Sequence, residues 1–178
     1  NPDDALLFTE SDKIYESANT ALDARLKRLE RHLKTVMKHD DAVMRLLSLY
    51  NVMGKYDKAI QIMDKRHFHL WEGGGQIHDI YVDSHLLKGL SLLAKKSYQK
   101  AIGEFDLANQ YPANLEVAPS HRGGYEVKAY YLTGVAYEGL NEQVKAKEFF
   151  EKAASAKYPG GLSDLAYYGV KALEKLGK

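Results

Sequence analysis

Three histidines, a glutamate and the only tryptophan of the chain crowd the stretch HFHLWEGGGQIHD, from His67 to Asp79. His69 and His78 with Glu72 make the donor set of a zinc site, two imidazoles and a carboxylate. Glu72 is equally able to act as an acid or base on a sugar stacked against Trp71. Neither chemistry is complete. The histidines lack the i, i+4 spacing of a helical zinc motif, and glycoside hydrolysis needs a second carboxylate across the scissile bond. Asp79 and Asp83 follow, but nothing in the sequence fixes their geometry. The plainer assignment is that Trp71 anchors a loop, His69 bonds to backbone, and Gly73, Gly74 and Gly75 supply turns. No catalytic residue, metal or cofactor is therefore expected.

A second stretch, QYPANLEVAPSHRGG from Gln110 to Gly124, carries two prolines, His121, Arg122 and a glycine pair. Arg122 with backbone N–H groups ahead of the next helix can hold an anion, although exposed loops carry such residues for many reasons. Nucleotide binding is not expected, because the glycine run after Glu72 lacks the Lys-Ser or Lys-Thr pair of a phosphate loop and no strand precedes it. His67, His69, Trp71, Glu72, His78 and Arg122 remain as candidate binding residues of these two loops.

The elements that must position the loops are helical hairpins. The segment from Tyr125 to Ala153 reads as two short helices, with Gly134, Ala146 and Ala153 where the helices approach and Tyr130, Tyr137 and Phe150 around them. Taking Ala146 as origin, Gly134 lies twelve residues earlier, Tyr137 nine earlier, Phe150 four later and Ala153 seven later. Gly89, Leu92, Ala101, Phe105 and Ala108 repeat these offsets, and Leu47, Tyr50, Ala59 and Met63 repeat them with larger residues. Small residues let antiparallel helices come close and the large one fills the remaining gap. This is the tetratricopeptide pattern, a helix-turn-helix unit of about 34 residues. Ala59, Ala101 and Ala146 are 42 and 45 residues apart. The excess falls in the two loops above, neither of which can continue a helix.

The expected fold is all-α: a tetratricopeptide-like, right-handed array of about eight or nine helices in one domain spanning 1–178. It comprises a divergent helical pair at 1–39, repeats at 41–66, 80–112 and 125–158, and a capping helix at 162–176. In the first pair, Pro2, Asp3 and Asp4 suit a helix start that runs to about Tyr15. Asn19 or Thr20 offers the next cap, and Leu22, Leu26, Leu29, Leu33 and Val36 form one apolar stripe. The opposite face is basic, with Arg25, Lys27, Arg28, Arg31, Lys34 and Lys38 against Glu30. It reads as a solvated face balanced by acids elsewhere, since 25 Lys and Arg meet 24 Asp and Glu overall. That balance argues against nucleic acid as a partner. The chain has no cysteine, which excludes disulfides and thiolate sites. No run approaches the roughly 20 apolar residues of a membrane span, so membrane insertion is not expected. The opening NPDDALLFTE shows no signal-peptide pattern and reads as a cut within a longer protein. The compartment, cytoplasmic or periplasmic, is left open.

Beyond the repeat itself, the runs LYNVMGKYDKAI, RHFHLWEGGGQ, YPANLEVAP and YYLTGVAYEGL resemble the carboxy-terminal helical region of large bacterial proteins. Those proteins carry tetratricopeptide repeats behind an amino-terminal β-rich domain of unknown function that looks similar to carbohydrate-processing sandwich domains. The likeness runs from about Asp41 onward and is weaker over the first two helices. Its most specific part is a loop motif reading F-H-P-W-E-G-G, matched by Phe68, His69, Trp71, Glu72, Gly73 and Gly74, with Leu70 in place of the proline. The resemblance implies a role beside a carbohydrate-related domain. The expected function is a non-catalytic interaction module whose partner is a protein or its own β-rich domain. Asp83, Lys88, Lys128 and Tyr131 are candidates on a concave face formed by the first helices of the repeats. The alternative is an accessory part of a carbohydrate-active enzyme, with Trp71, Glu72 and His69 facing a sugar site on the preceding domain.

Overall fold

A computed structural model describes residues 4–69, 76–118, 125–156 and 164–178, except the side chains of Tyr125, Asp164 and Leu165. Among the described residues there are ten α-helices and no strand. They are α1 (Ala5–Ser17), α2 (Leu22–Arg31), α3 (Leu33–Val36), α4 (Asp40–Val52), α5 (Tyr56–Lys65), α6 (Gln76–Ala94), α7 (Tyr98–Ala108), α8 (Tyr125–Gly139), α9 (Gln143–Ser155) and α10 (Asp164–Lys175). A 3-10 turn, Ala113–Leu115, lies between α7 and α8. The fold is a helical-hairpin array, as the spacing of small and large residues predicts.

The three hairpins share one turn. Five residues before each reference alanine the backbone is left-handed, at Gly54 (φ 71°), Lys96 (φ 58°) and Asn141 (φ 60°). The next N–H then reaches back five residues, from Lys55 to the Tyr50 carbonyl (2.7 Å), Ser97 to Leu92 (2.9 Å) and Glu142 to Tyr137 (3.0 Å). This bond satisfies a carbonyl that the helix end would leave bare. Only the first repeat places a glycine where the positive φ is free of side-chain cost.

The chain forms two compact units, residues 1–84 with 112–117, and residues 85–111 with 118–178. In the first unit α1 and α2 pack on α4, which pairs with α5. Asp4 caps α1 through the Leu6 N–H (3.0 Å). The cap expected at Asn19 or Thr20 is not used: Ala21 precedes α2 without a side-chain bond, and Asn19 instead takes φ 53° in the connection. The long second helix expected from the leucine spacing is broken at His32, whose ring packs on Phe8 with centroids 4.9 Å apart. Leu26, Leu29 and Val36 are buried as the stripe predicts, but Leu22 and Leu33 at its margins are exposed. Tyr50 is buried and its hydroxyl donates to Glu30 (3.1 Å). Burial, reinforced by the Glu30 charge, pushes the phenol up to about 12.

Of the basic face, Lys27, Arg31, Lys34 and Lys38 are exposed as expected, while Arg25 and Arg28 turn inward. Arg25 is 6% exposed and makes a two-pronged bond to Asp12, itself 1% exposed, at 3.0 and 2.7 Å. Arg45 of α4 joins from the other side, to Asp12 at 2.6 Å and Glu16 at 2.7 Å. Burial alone pushes the Asp12 carboxyl up, but the hydrogen bonds and charges of Arg25 and Arg45 outweigh it and hold the group below its usual range. Arg28 lies over the rings of Phe8 and Tyr15 and donates to Ser11. The charge of Arg25 is thus met by acids of α1.

In the second unit the repeat offsets become contacts. A Cβ on Gly89 would lie 2.3 Å from the Phe105 ring, and one on Gly134 would lie 2.6 Å from the Phe150 ring. The glycine and the phenylalanine sixteen residues later are two halves of one packing solution. The first unit uses Leu47 and Met63 at those positions, both buried, so the volume is moved from one helix to the other rather than lost. Ala146, Phe150, Ala153 and Ala172 form the core where α9 meets α10, flanked by Tyr130, Tyr131, Tyr137 and Leu176. The terminal helix predicted as a cap packs here, against α8 and α9.

Candidate functional site

The first loop leaves α5 with its backbone extended at Arg66. Beyond it burial alternates: His67 exposed, Phe68 buried, His69 exposed. Alternation of this kind places residues i and i+2 on one side of an extended segment, so the two histidines project together while Phe68 holds the segment to the core. Their ring centroids are 4.9 Å apart.

Several bonds within the first unit pin this segment. Arg66 donates to Asp40 at the start of α4 (2.8 and 2.6 Å) and to the Met37 carbonyl (2.8 Å). The same carboxylate accepts the His69 N–H (3.0 Å). The Phe68 N–H donates to the Asn114 carbonyl (2.8 Å), and the Asn114 side chain donates back to the carbonyls of Met63 (2.7 Å) and Arg66 (2.8 Å). Asn114 belongs to the 3-10 turn of the second loop. The two excess segments that interrupt the repeat spacing are therefore bonded to each other.

That bonding brings Glu116 to the histidines. His67 Nε2 lies 2.6 Å from Glu116 Oε1, and His69 Nδ1 lies 3.8 Å from the same oxygen. Glu116 is held in left-handed backbone, φ 52°, a conformation a non-glycine residue adopts at a cost. Among the described residues, His67, His69 and Glu116 form the group close enough to share a metal ion. Of the zinc set read from the sequence, His78 is not part of this group: it is buried in the first turn of α6 and stacked on Tyr81, with ring centroids 6.1 Å apart. Among the described residues, the carboxylate beside His69 is Glu116. Glu72, Trp71, His121 and Arg122 lie outside the described residues. Glu116 was not singled out because it sits 49 residues from His67; its presence in the second excess segment was the available signal.

An open cavity of about 520 Å³ adjoins this segment, lined by Leu6, Lys38, Met44, Phe68, His69 and Ile77 among others. The residues expected on a concave face are placed as follows. Asp83 is exposed on α6. Lys88 is bound to Glu104 (2.8 Å), which also meets the buried His85 (2.7 Å). Lys128 lies over the Tyr168 ring, and Tyr131 packs between Phe150 and Tyr168. The last two thus sit against α10.

Fold and site define an all-α helical repeat, a class built to present surfaces to other proteins. A model of the tetratricopeptide repeat matches residues 127–158, the hairpin of α8 and α9. No solved structure matches the chain. Among the described residues, no helix is long and apolar enough to cross a membrane.

Proposed function

We propose that this chain is a non-catalytic interaction module that docks on an adjacent β-rich domain of a larger bacterial protein. The cavity beside His69 is the docking surface. What supports this reading is the pinned geometry of the loop: Arg66, Asp40 and Asn114 hold Phe68 and His69 beside a recess that mixes apolar and polar lining. A surface ordered before binding loses little entropy when a partner arrives. The tetratricopeptide match over 127–158 supports the broader role.

The test separates the chain from the β-rich domain of the full-length protein and measures their association by calorimetry. Leu6 and Lys38 are exposed at the rim of the cavity, so Leu6→Asp with Lys38→Glu changes the surface without disturbing the core. Saturable binding that this pair of changes abolishes supports docking. Absence of binding, or binding indifferent to the changes, refutes it. Loss of glycan turnover in full-length Trp71→Ala or Glu72→Ala, with association intact, favours the accessory role in a carbohydrate-active enzyme instead.

A further inference from the structure

We infer that His67, His69 and Glu116 form a binding site for a divalent transition metal of the zinc class. The donors are two imidazole nitrogens and a carboxylate, a combination that suits zinc, cobalt or nickel and not the oxygen-seeking calcium or magnesium. All three ligand atoms lie within 4.8 Å of one another. Metal–ligand bonds of about 2.0–2.1 Å in a tetrahedron set neighbouring ligand atoms roughly 3.4 Å apart. The observed separations from Glu116 Oε1, 2.6 Å to His67 Nε2 and 3.8 Å to His69 Nδ1, fall on either side of that value. The side chains are 53%, 59% and 37% exposed for His67, His69 and Glu116. Each can make the needed adjustment by rotation without moving the core. The ion replaces the hydrogen that His67 Nε2 now shares with Glu116, and the pair opens to accommodate it.

The backbone is already built for this. An exposed His–Glu pair contributes little to stability, so it does not account for the structure around it. Phe68 is buried beneath the two histidines, Asp40 holds the His69 N–H, and Asn114 ties the segments that carry the ligands. Glu116 keeps a left-handed backbone, φ 52°, with its carboxylate facing both rings. Three protein ligands leave a fourth position to solvent, so the ion keeps an exchangeable water.

The experiment titrates zinc into the tag-free, chelator-dialysed chain by calorimetry and records the visible absorption of the cobalt-loaded protein. The expected result is one ion per chain, with cobalt bands of four-coordinate intensity. His67→Ala, His69→Ala and Glu116→Gln each weaken binding by about tenfold or more, and the triple variant binds none. Circular dichroism checks that the helices are intact in each variant, as exposed positions predict. The inference is overturned by the absence of saturable binding, or by binding that survives in the triple variant.

Discussion

Gly89→Ala is the sharpest test of the packing that generates the repeat. The added Cβ would lie 2.3 Å from the Phe105 ring, against about 3.5–4.0 Å for an ordinary carbon contact. The ring must therefore retreat by more than about 1 Å, and Phe105 is fully buried. Overpacking of this kind costs about 1–3 kcal/mol, here toward the upper end. Alanine in mid-helix recovers about 1 kcal/mol over glycine. The net loss is about 1–2 kcal/mol. Gly103→Ala is the internal control. It also lies within a helix, α7, but its Cβ meets nothing within 4 Å, so it retains the propensity gain and stabilises by up to about 1 kcal/mol. Urea denaturation followed by circular dichroism should place the two alanines on opposite sides of the parent. Combining Gly89→Ala with Phe105→Leu should cost less than the sum of the singles, with a coupling of about 1 kcal/mol. If Gly89→Ala stabilises as Gly103→Ala does, or if the pair is additive, the glycine is not there to admit the ring and the explanation fails.

Three further outcomes follow from the structure. Asp12→Ala leaves the buried Arg25 with only the exposed Glu16, at 3.2 Å, as its partner and should cost about 3 kcal/mol, seen as a fall in denaturation midpoint. Because the folded Asp12 carboxyl is held below its usual range, its contribution is fully present above the unfolded value and is lost as pH falls through the folded one. The parent should therefore lose stability in acid more steeply than Asp12→Ala. Lys96→Gly relieves the left-handed turn between α6 and α7 and should stabilise by about 1 kcal/mol, raising the melting temperature; a fall would show that the Lys96 side chain matters more than its backbone. Asn114→Ala removes donors to the Met63 and Arg66 carbonyls and should cost about 1–3 kcal/mol, with faster hydrogen exchange at the Phe68 amide and weaker zinc binding though no ligand is changed.

The repeat was legible because it is written in residue size at fixed offsets, and size decides how closely two helices approach. Gly134 with Phe150 and Gly89 with Phe105 are readable before any coordinates. Leu47 with Met63 is the same solution with its volume shifted, so the register held where the composition did not. The helix ends were less legible. Lys96 takes a left-handed backbone that its type does not announce, and His32 breaks a helix with neither glycine nor proline to mark it. The burial of Arg25 within the basic face was not legible for a related reason: periodicity shows which residues share a face, but not that Asp12 on another helix is waiting for Arg25.

The same limit governs the candidate site. Excess length between repeats drew attention to the two loops, because glycine and proline disfavour a continuing helix. What connects them is tertiary: the side-chain amide of Asn114 bonds two carbonyls near the end of α5, and its own carbonyl accepts from Phe68. Those bonds decide which carboxylate His69 meets, and they select Glu116 among the described acids. Local spacing drew in His78, which is near in sequence but buried against Tyr81. In a repeat array the scaffold residues are bound to a register and can be counted. The residues that could do chemistry lie where the register is interrupted, and their partners are set by which interruptions the folded chain brings together.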